Sequence, residues 1–500
     1  MTCDVSNNQL FDATDKDLEK PPVNPKVPAG ITKTFRSYDT SQMFLLPPSI
    51  DDWLPDDHSA RFISEVVEEL LDLDGIYASY IEASGAPPYD PKMMLKLVLY
   101  GYSIGVTSSR EMERRCHVDV AFRWISANVA PDHRSISRFR RRHLDTLGDL
   151  FLQVLRLCGQ AGLIKLGRIA LDGTKLRANA SRRKAMSYDH ITPRMEQLEK
   201  EVAETLAEAE AIDEAEDKAF GVNNRGDEVP AELARRETRL YKLRAAKEAI
   251  EADAKQKARA QAIKNATKKG KDTAEIAEAV IEAEKTAVAD PKAQRNFTDP
   301  ESRMMKTNDG YHYAYNGQAV VDEKSQVIIA AEITQAASDV NQLMPMIAST
   351  TDNLVSIGIN ATARVVLLDA GYCSKENLEE IAKARINALI ATGRLKHNER
   401  VPDAPRGPIP KNATDKERMA RRLRTKQGRK DYARRKAIVE PVFGQMKVKQ
   451  HAGQLRLRGL AGASGEWTLH AICHNLRKLA NSRQTGVLRP LIICHKCSLF

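Results

Sequence analysis

"IALDGTKL", residues 169–176, stops an apolar run at an Asp-Gly pair, Asp172 and Gly173. Asp-Gly after a strand is a strong turn signal, so one reading is a tight hairpin. The other reading makes Asp172 a carboxylate held at a strand end, where open α/β sheets gather their ligands. Partners elsewhere in the chain decide between them. Far downstream, "ARVVLLDAGY" (363–372) repeats the pattern, with Asp369 ending an apolar run and Gly371 two residues on. If the two strands are neighbours, Asp172 and Asp369 face one crevice. Carboxylates held close together repel unless they are protonated or bridged by a cation, and a hard divalent ion suits oxygen ligands.

The sequence around these strands predicts a mixed α/β layer. Residues 313–333 read as two strands joined by a polar turn at Asp322 to Ser325. "ASDVNQLMPMIAST" (337–350) reads as a helix leading into a strand at 364–368. "SKENLEEIAKA" (374–384) reads as the next helix, with Ser374 at its N-cap, and "NALIAT" (387–392) as a further strand. A third carboxylate is needed to hold two metal ions. Asp322, Asp339, Glu376 and Glu379 are each explained by a turn, a helix start or an exposed helical face. Glu440 stands apart in "YARRKAIVEPVFGQMKVKQ" (432–450), flanked by Ile438, Val439, Val442 and Phe443. A carboxylate in apolar surroundings is costly unless a cation compensates it; the structural alternative is a pair with Lys436 or Lys447. Pro441 removes the helical bond to residue 437 and predicts a kink.

Five hundred residues, 42% apolar, allow two to four domains. The N-terminal residues carry no apolar signal region and no run of about 18 apolar residues occurs, which predicts a cytoplasmic protein. Seven scattered cysteines argue against a disulfide framework, and "CHKC" (494–497) has the spacing of half a zinc site without a second pair. The net charge is +10 and unevenly spread. Residues 1–100 carry 8 Lys and Arg against 17 Asp and Glu, a net −9, whereas residues 401–500 carry 22 against 6, a net +16. Such a block suits either phosphate neutralisation or a solvated surface.

Residues 1–42 read as a disordered or extended arm, and 43–162 as an all-helical, helix-turn-helix-like domain. Ser108 and Glu111 form a capping-box pattern before Arg110, Arg114 and Arg115. A later helix from about Arg134 puts Arg134, Arg138, Arg141 and Arg142 on one side and Ile136, Phe139 and His143 on the other, an arrangement that packs and still offers guanidinium groups to DNA. Between 190 and 300, Met195, Leu198, Val202 and Leu206, then Leu233, Leu240, Leu243 and Ile250, predict two antiparallel helices joined through "FGVNNRGDEVP". Dimer contact, DNA contact and a tolerated insertion all remain open for this segment.

"LDGTKLRANAS" (171–181), "QRNFTDPESRMMK" (294–306), "YNGQAVVD" (315–322), "LLDAGYCSKENL" (367–378) and "YARRKAIVEPVFGQMK" (432–447), in this order, resemble bacterial insertion-sequence transposases. The resemblance is to the insertion-sequence-4-like branch of the DDE superfamily, closest to its insertion-sequence-1182-type group, and runs from about Met43 to about Arg483. It implies an α/β fold with an RNase H-like catalytic core, a mixed sheet flanked by helices, at 163–189 and 301–483. The helical insertion at 190–300 would follow the first core strand, and 484–500 would form a tail. It also implies a DDE triad, matched by Asp172, Asp369 and Glu440 as catalytic and metal-binding residues. A Tyr, Arg, Glu, Lys signature that grips transposon-end phosphates is matched by Tyr432, Arg435 and Lys447. Lys447 has the expected seven-residue step from Glu440; Tyr432 and Arg435 lie one residue further from it than the family spacing, so Arg434 or Lys436 could substitute for Arg435.

What the resemblance then implies is metal-dependent DNA cleavage and strand transfer. Two Mg²⁺ ions, for which Mn²⁺ can substitute, would lie about 3.5 to 4 Å apart and serve both steps. The expected partners are double-stranded DNA, as transposon ends and target, and a second copy in a homodimer or larger assembly; the expected place is the nucleoid. Two other readings are an RNase H-like nuclease without transposition and a catalytically inactive DNA-binding regulator. The long arginine-bearing helical region weighs against the first, and the retention of all three carboxylates against the second.

Overall fold

A computed structural model describes residues 49–80, 87–220, 231–307, 309–393 and 406–484. The expectations for the arm at 1–42, for the connection at 221–230 and for the cysteine pair at 494–497 fall outside them, as do the side chains of Leu206 and Leu233. Before Asp56 the described chain is one 3-10 turn, Ile50–Trp53, closed by a capping box between Ser49 and Asp52.

From Asp56 onward the chain begins with helices: α1 (Ser59–Glu65), α2 (Asp74–Tyr77), α3 (Pro91–Ser103), α4 (Ser109–Val118), α5 (Val120–Ile125), α6 (His133–Arg142) and α7 (Leu147–Gln160). Local chemistry sets several starts. Pro91 opens α3 behind the Asp90 cap, whose carboxylate accepts from Met93 N at 3.1 Å. Asp132 caps α6 through Arg134 N and Ser135 N. Ser108 stands at the N-cap of α4 but makes no side-chain cap bond. The capping-box expectation fails there because Glu111 accepts instead from Arg114 and Arg115.

Strand β1 (Arg168–Arg177) begins the sheet, followed by a short β2 (Ala185–Ser187) and the long helices α8 (Tyr188–Phe220) and α9 (Ala231–Lys268). A third helix, α10 (Thr273–Lys285), packs on α9, so the excursion holds one helix more than the hairpin its leucine spacing predicts. Ile191, Leu198, Leu240, Leu243, Ala246, Ile250 and Ala289 form its own core. Strand β3 (Gln294–Asn296) pairs with β2 at its base, after which come β4 (Arg303–Thr307), β5 (Gly310–Asp322), β6 (Ile328–Thr334), helix α11 (Leu343–Ser356), β7 (Val365–Leu368), α12 (Lys375–Lys383) and β8 (Ala388–Ile390). The order of β5, β6, α11, β7, α12 and β8 is the one the apolar runs predict. Helices α13 (Asp415–Arg424), α14 (Lys426–Tyr432), α15 (Arg434–Lys449) and α16 (Gly459–Gln484) complete the chain.

The sheet runs β4-β5-β1-β7-β8, with β6 also on β5. Strands β1, β7 and β8 are parallel, while β5 is antiparallel to β1, β4 and β6. This is a mixed sheet with a helical region before it. Helix α16 ties the two together: it packs on α3, α7 and β6, and its Trp467 donates to Gln318 O on β5 at 3.1 Å. Asn475 bonds both the N–H and the C=O of Ile328 at 2.9 Å, replacing a strand partner at the start of β6. Among the described residues no helix is long and apolar enough to cross a membrane, and Cys116, Cys158, Cys373 and Cys473 are free thiols.

Candidate active site

The parallel register sets Leu171 beside Leu368, so Asp172 and Asp369, one residue further on each strand, arrive together. Here β7 ends. Asp369 caps the short turn Ala370–Tyr372, accepting from Gly371 N at 2.8 Å. Strand β1 does not end: it continues to Arg177, still paired with β5, so the Asp-Gly pair is neither a hairpin nor a strand terminus. The reason for Gly173 is space. A Cβ there would lie 2.4 Å from Gln318 Nε2, 2.6 Å from Asp339 Oδ1 and 3.0 Å from Asn316 Oδ1. Gly173→Ala should therefore overpack a buried polar cluster and lose about 1–3 kcal/mol in urea unfolding; an unchanged midpoint would show that the cluster yields freely.

Burial pushes the Asp172 carboxyl up to about 6, with the charge of Asp369 adding and Arg435 opposing. Arg435 Nη1 donates to Asp172 at 2.9 Å, and its other terminal nitrogen lies 3.7 Å from Glu440 Oε1. Burial pulls the Arg435 guanidinium down, but Asp172 and its neighbours carry it above its ordinary value. Asp172 and Glu440 thus flank one buried arginine, and Asp369 stands beside Asp172 at the end of β7. Glu440 itself is 54% exposed. The expectation of a carboxylate embedded in apolar side chains is corrected: Ile438, Val439, Val442 and Phe443 turn to the core, leaving Glu440 on the outer face of α15. Its basic partner is Arg435 rather than Lys436 or Lys447. Helix α15 runs through Pro441, and the Ala437 carbonyl that Pro441 leaves without its helical donor accepts from Gln326 Nε2 at 3.1 Å.

Tyr432 donates to Leu368 O at 3.1 Å, fastening α14 to the end of β7. Arg434 is paired with Glu323 at 2.9 Å, while Lys436 is exposed on α15. Lys447 lies in a groove beside Glu440 whose walls also carry Lys175, Arg177, Lys306 and His451. The other acidic candidates part from the centre or join it. Asp322 is fully buried and bonds Lys165 N, Leu166 N and Lys324 N. Glu376 and Glu379 pair on the outside with Lys264 and Lys375. Asp339 joins the centre, which its helix-start position concealed; the glycines that follow Asp172 and Asp369 were the readable signal.

The donors fit a hard divalent cation by chemistry: Asp172, Asp369 and Glu440 offer only carboxylate oxygens, and Asp172 and Asp369 stand side by side at the end of β7. Among the described residues no three acidic, histidine or cysteine side chains converge as a preformed metal cluster, since Arg435 stands between Asp172 and Glu440.

Residues 48–142 match the family model described as Transposase domain (DUF772), and residues 280–476 match the one described as Transposase DDE domain. Two separate segments of the chain are thus similar to transposase domains. The match to the DDE domain spans Asp369 and Glu440 and starts downstream of Asp172. No curated protein and no solved structure matches the chain.

The match to the first transposase domain contains α6, and its arginines divide by face. Arg134, Arg138, Arg141 and Arg142 are exposed, and Ile136, Phe139 and His143 are buried, as the sequence spacing predicts. Arg142 is partly used inside the domain: its guanidinium stacks 4.5 Å above Tyr80 and donates to Ser79 O. Arg140, between them in sequence, turns inward to Tyr102, Thr107 and Ser109.

Proposed function

We propose that this chain is the transposase of a bacterial insertion sequence of the insertion-sequence-1182-type group, with an RNase H-like core. It binds the terminal inverted repeats of its element, cleaves the DNA strand at their ends and joins it to target DNA. The observation that carries this reading is Arg435 set between Asp172 and Glu440, with Asp369 beside Asp172 and a basic groove alongside, in a chain with a segment similar to a transposase DDE domain.

Asp172, Asp369 and Glu440 would hold divalent cations, Mg²⁺ or in its place Mn²⁺. Such ions supply the Lewis acidity that makes water, and then a DNA 3′ hydroxyl, a nucleophile toward a phosphodiester. The chain's own residues do the rest. Lys175, Arg177, Lys306 and Lys447 neutralise backbone phosphates along the groove. Arg435 keeps Asp172 and Glu440 facing each other before DNA arrives, and Tyr432 holds its helix against β7. Arg134, Arg138 and Arg141 contact the DNA ends from the first transposase domain. Two ends must be held at once, so the working assembly is a homodimer or larger.

The test is incubation of the protein with Mg²⁺ and a DNA fragment bearing its own terminal inverted repeats, with a supercoiled plasmid as target. Nicked element ends and joined products are expected. Cleavage anywhere without joining would make it a nuclease, and binding without cleavage a regulator.

The raised Asp172 carboxyl sets a pH dependence. Protons and Mg²⁺ compete for this carboxylate, so the Mg²⁺ concentration needed for half-maximal cleavage should rise as pH drops through about 6; a requirement unchanged from pH 7 to pH 5 would refute it. For folding the sign is the reverse. Between the ordinary carboxylate value of 3.8 and about 6 the folded protein binds this proton more readily than the unfolded chain, so the group's contribution to stability declines as pH rises through that window.

A further inference from the structure

A fourth carboxylate stands at the level of Asp172. Asp339, which follows Ser338 at the entrance to α11, accepts through Oδ1 from Asn316 Nδ2 at 2.6 Å and from Gln318 Nε2 at 2.8 Å. The same oxygen lies 3.3 Å from Lys175 Nζ. Two glycines make room for it. A Cβ on Gly173 would sit 2.6 Å from Asp339 Oδ1, and one on Gly371 would sit 3.6 Å from Asp339 Oδ2 and 3.0 Å from Asp369 Oδ1. Each glycine follows one of the two strand-level aspartates, so the pattern that aligns Asp172 with Asp369 also opens the path for Asp339.

The surroundings are built rather than incidental. Asn316 and Gln318 are fully buried on β5, and Tyr372 donates to Gln318 Oε1, which aims the amide nitrogen of Gln318 at Asp339. Asn316 Oδ1 is buried and has no hydrogen-bond partner among the described residues; it lies 3.0 Å from the Cβ position of Gly173, inside the same space. Lys175 bridges two regions. Its ammonium meets Asp339 at the centre, while the residue lines the groove that runs to Lys447. The Lys175 side chain is 20% exposed and lines the groove, where solvent or a phosphate can reach it.

We propose that Asp339 is a fourth acidic residue of this site, a positioning residue that holds the Lys175 ammonium where the scissile region of the DNA backbone passes. The proposal rests on the transposase reading for the identity of the groove's occupant. A long lysine side chain loses much rotamer freedom when fixed, and an anchoring carboxylate removes that loss from the step in which DNA is aligned. Asp339→Asn keeps the shape and an acceptor oxygen but removes the charge that fixes Lys175.

Two readouts test it. In acetic anhydride labelling followed by mass spectrometry, without DNA, Lys175 should label about fivefold or more faster in Asp339→Asn than in wild type, with Lys375 as the exposed internal reference. In single-turnover cleavage at saturating DNA, Asp339→Asn and Lys175→Gln should each be about 10- to 100-fold slower than wild type, and the double variant no more than about threefold slower than either, because the two act as one unit. Unchanged Lys175 labelling, wild-type cleavage by Asp339→Asn, or rate losses that multiply in the double variant would each overturn the proposal. A wild type that leaves DNA uncut overturns the transposase reading instead, and the labelling then judges the Asp339 to Lys175 pair alone. If Asp339→Asn does not fold, Lys175→Gln carries the test: wild-type cleavage by that variant overturns the proposal.

Discussion

Asp369→Asn and Asp172→Asn are each expected to slow Mg²⁺-dependent cleavage of inverted-repeat DNA by about a thousandfold or more, while DNA affinity stays within about threefold. The replacement is close to isosteric. An asparagine at 369 still offers an oxygen to Gly371 N, and one at 172 still accepts from Arg435, so the local backbone has no reason to move. What disappears is one unit of negative charge where β1 and β7 meet. Losing it weakens cation binding and transition-state stabilisation together, which on the barrier amounts to about 4 kcal/mol. Glu440→Gln should behave alike, although its exposed position on α15 leaves folding even less affected. Cleavage at the wild-type rate by any of the three, or loss of DNA binding in parallel with loss of cleavage, would remove that residue from the centre. Urea midpoints measured beside the rates separate chemistry from folding.

The largest effect on stability is expected from Glu466→Ala on α16. Glu466 is fully buried, and its carboxylate accepts from Tyr102 Oη at 2.9 Å and from the backbone N–H groups of Arg456 and Leu457 at 2.7 and 2.8 Å. Tyr102 in turn accepts from Arg140 at 2.7 Å, and Arg140 holds Thr107 O and Ser109 Oγ. Burial raises the Glu466 carboxyl, with its backbone donors and Arg140 opposing. Alanine would leave the Arg140 guanidinium without its counter-charge and three donors without an acceptor. Breaking a buried charge network of this kind costs about 3–5 kcal/mol, a large share of a typical folding free energy of about 5–15 kcal/mol. The variant should show a markedly lower urea midpoint and accumulate as aggregate at 37 °C. A second variant separates charge from packing: Arg140→Met in the Glu466→Leu background should recover part of the loss, because both charges leave together. A Glu466→Ala midpoint equal to wild type would mean that the network adds nothing to the joint between α3, α6 and α16.

Much of the sheet was legible because apolar runs of four to six residues, bounded by Asp, Gly and polar turns, are too short for a buried helix and suit a strand covered on both faces. The likeness of "IALDGTKL" and "VVLLDAGY" marked both aspartates and left the adjacency of their strands as a condition, which the register meets: Asp172 and Asp369 arrive side by side. The arginine face of α6 was legible for a similar reason, since helical period separates Ile136 and Phe139 from Arg134, Arg138 and Arg141 whatever surrounds them. Three readings failed where a residue had competing partners. Ser108 lost Glu111 to two arginines. Glu440 appeared buried because its sequence neighbours are apolar, but a helix sends neighbours in different directions. Gly173 looked like a turn residue; it is instead a hole in a continuous strand, made for side chains 143 to 166 residues away in sequence. The third helix of the insertion was missed because "AEIAEAVIEAEK" (274–285) has a good helical period but no leucine spacing to mark it against its neighbours.

By itself the sequence determined the order of strands and helices from β5 to β8, the two aspartates that end apolar runs, the basic C-terminal block and the helix that carries the exposed arginines. These depend on local periodicity, turn chemistry and charge, which act over a few residues. Only the tertiary structure decided that β1 runs on past Asp172, that Arg435 sits between Asp172 and Glu440, and that Asp339 enters the same space with Lys175. Those facts depend on which side chains compete for one small volume where β1, β5, β7 and α15 meet, and no spacing along the chain encodes the winner of that competition.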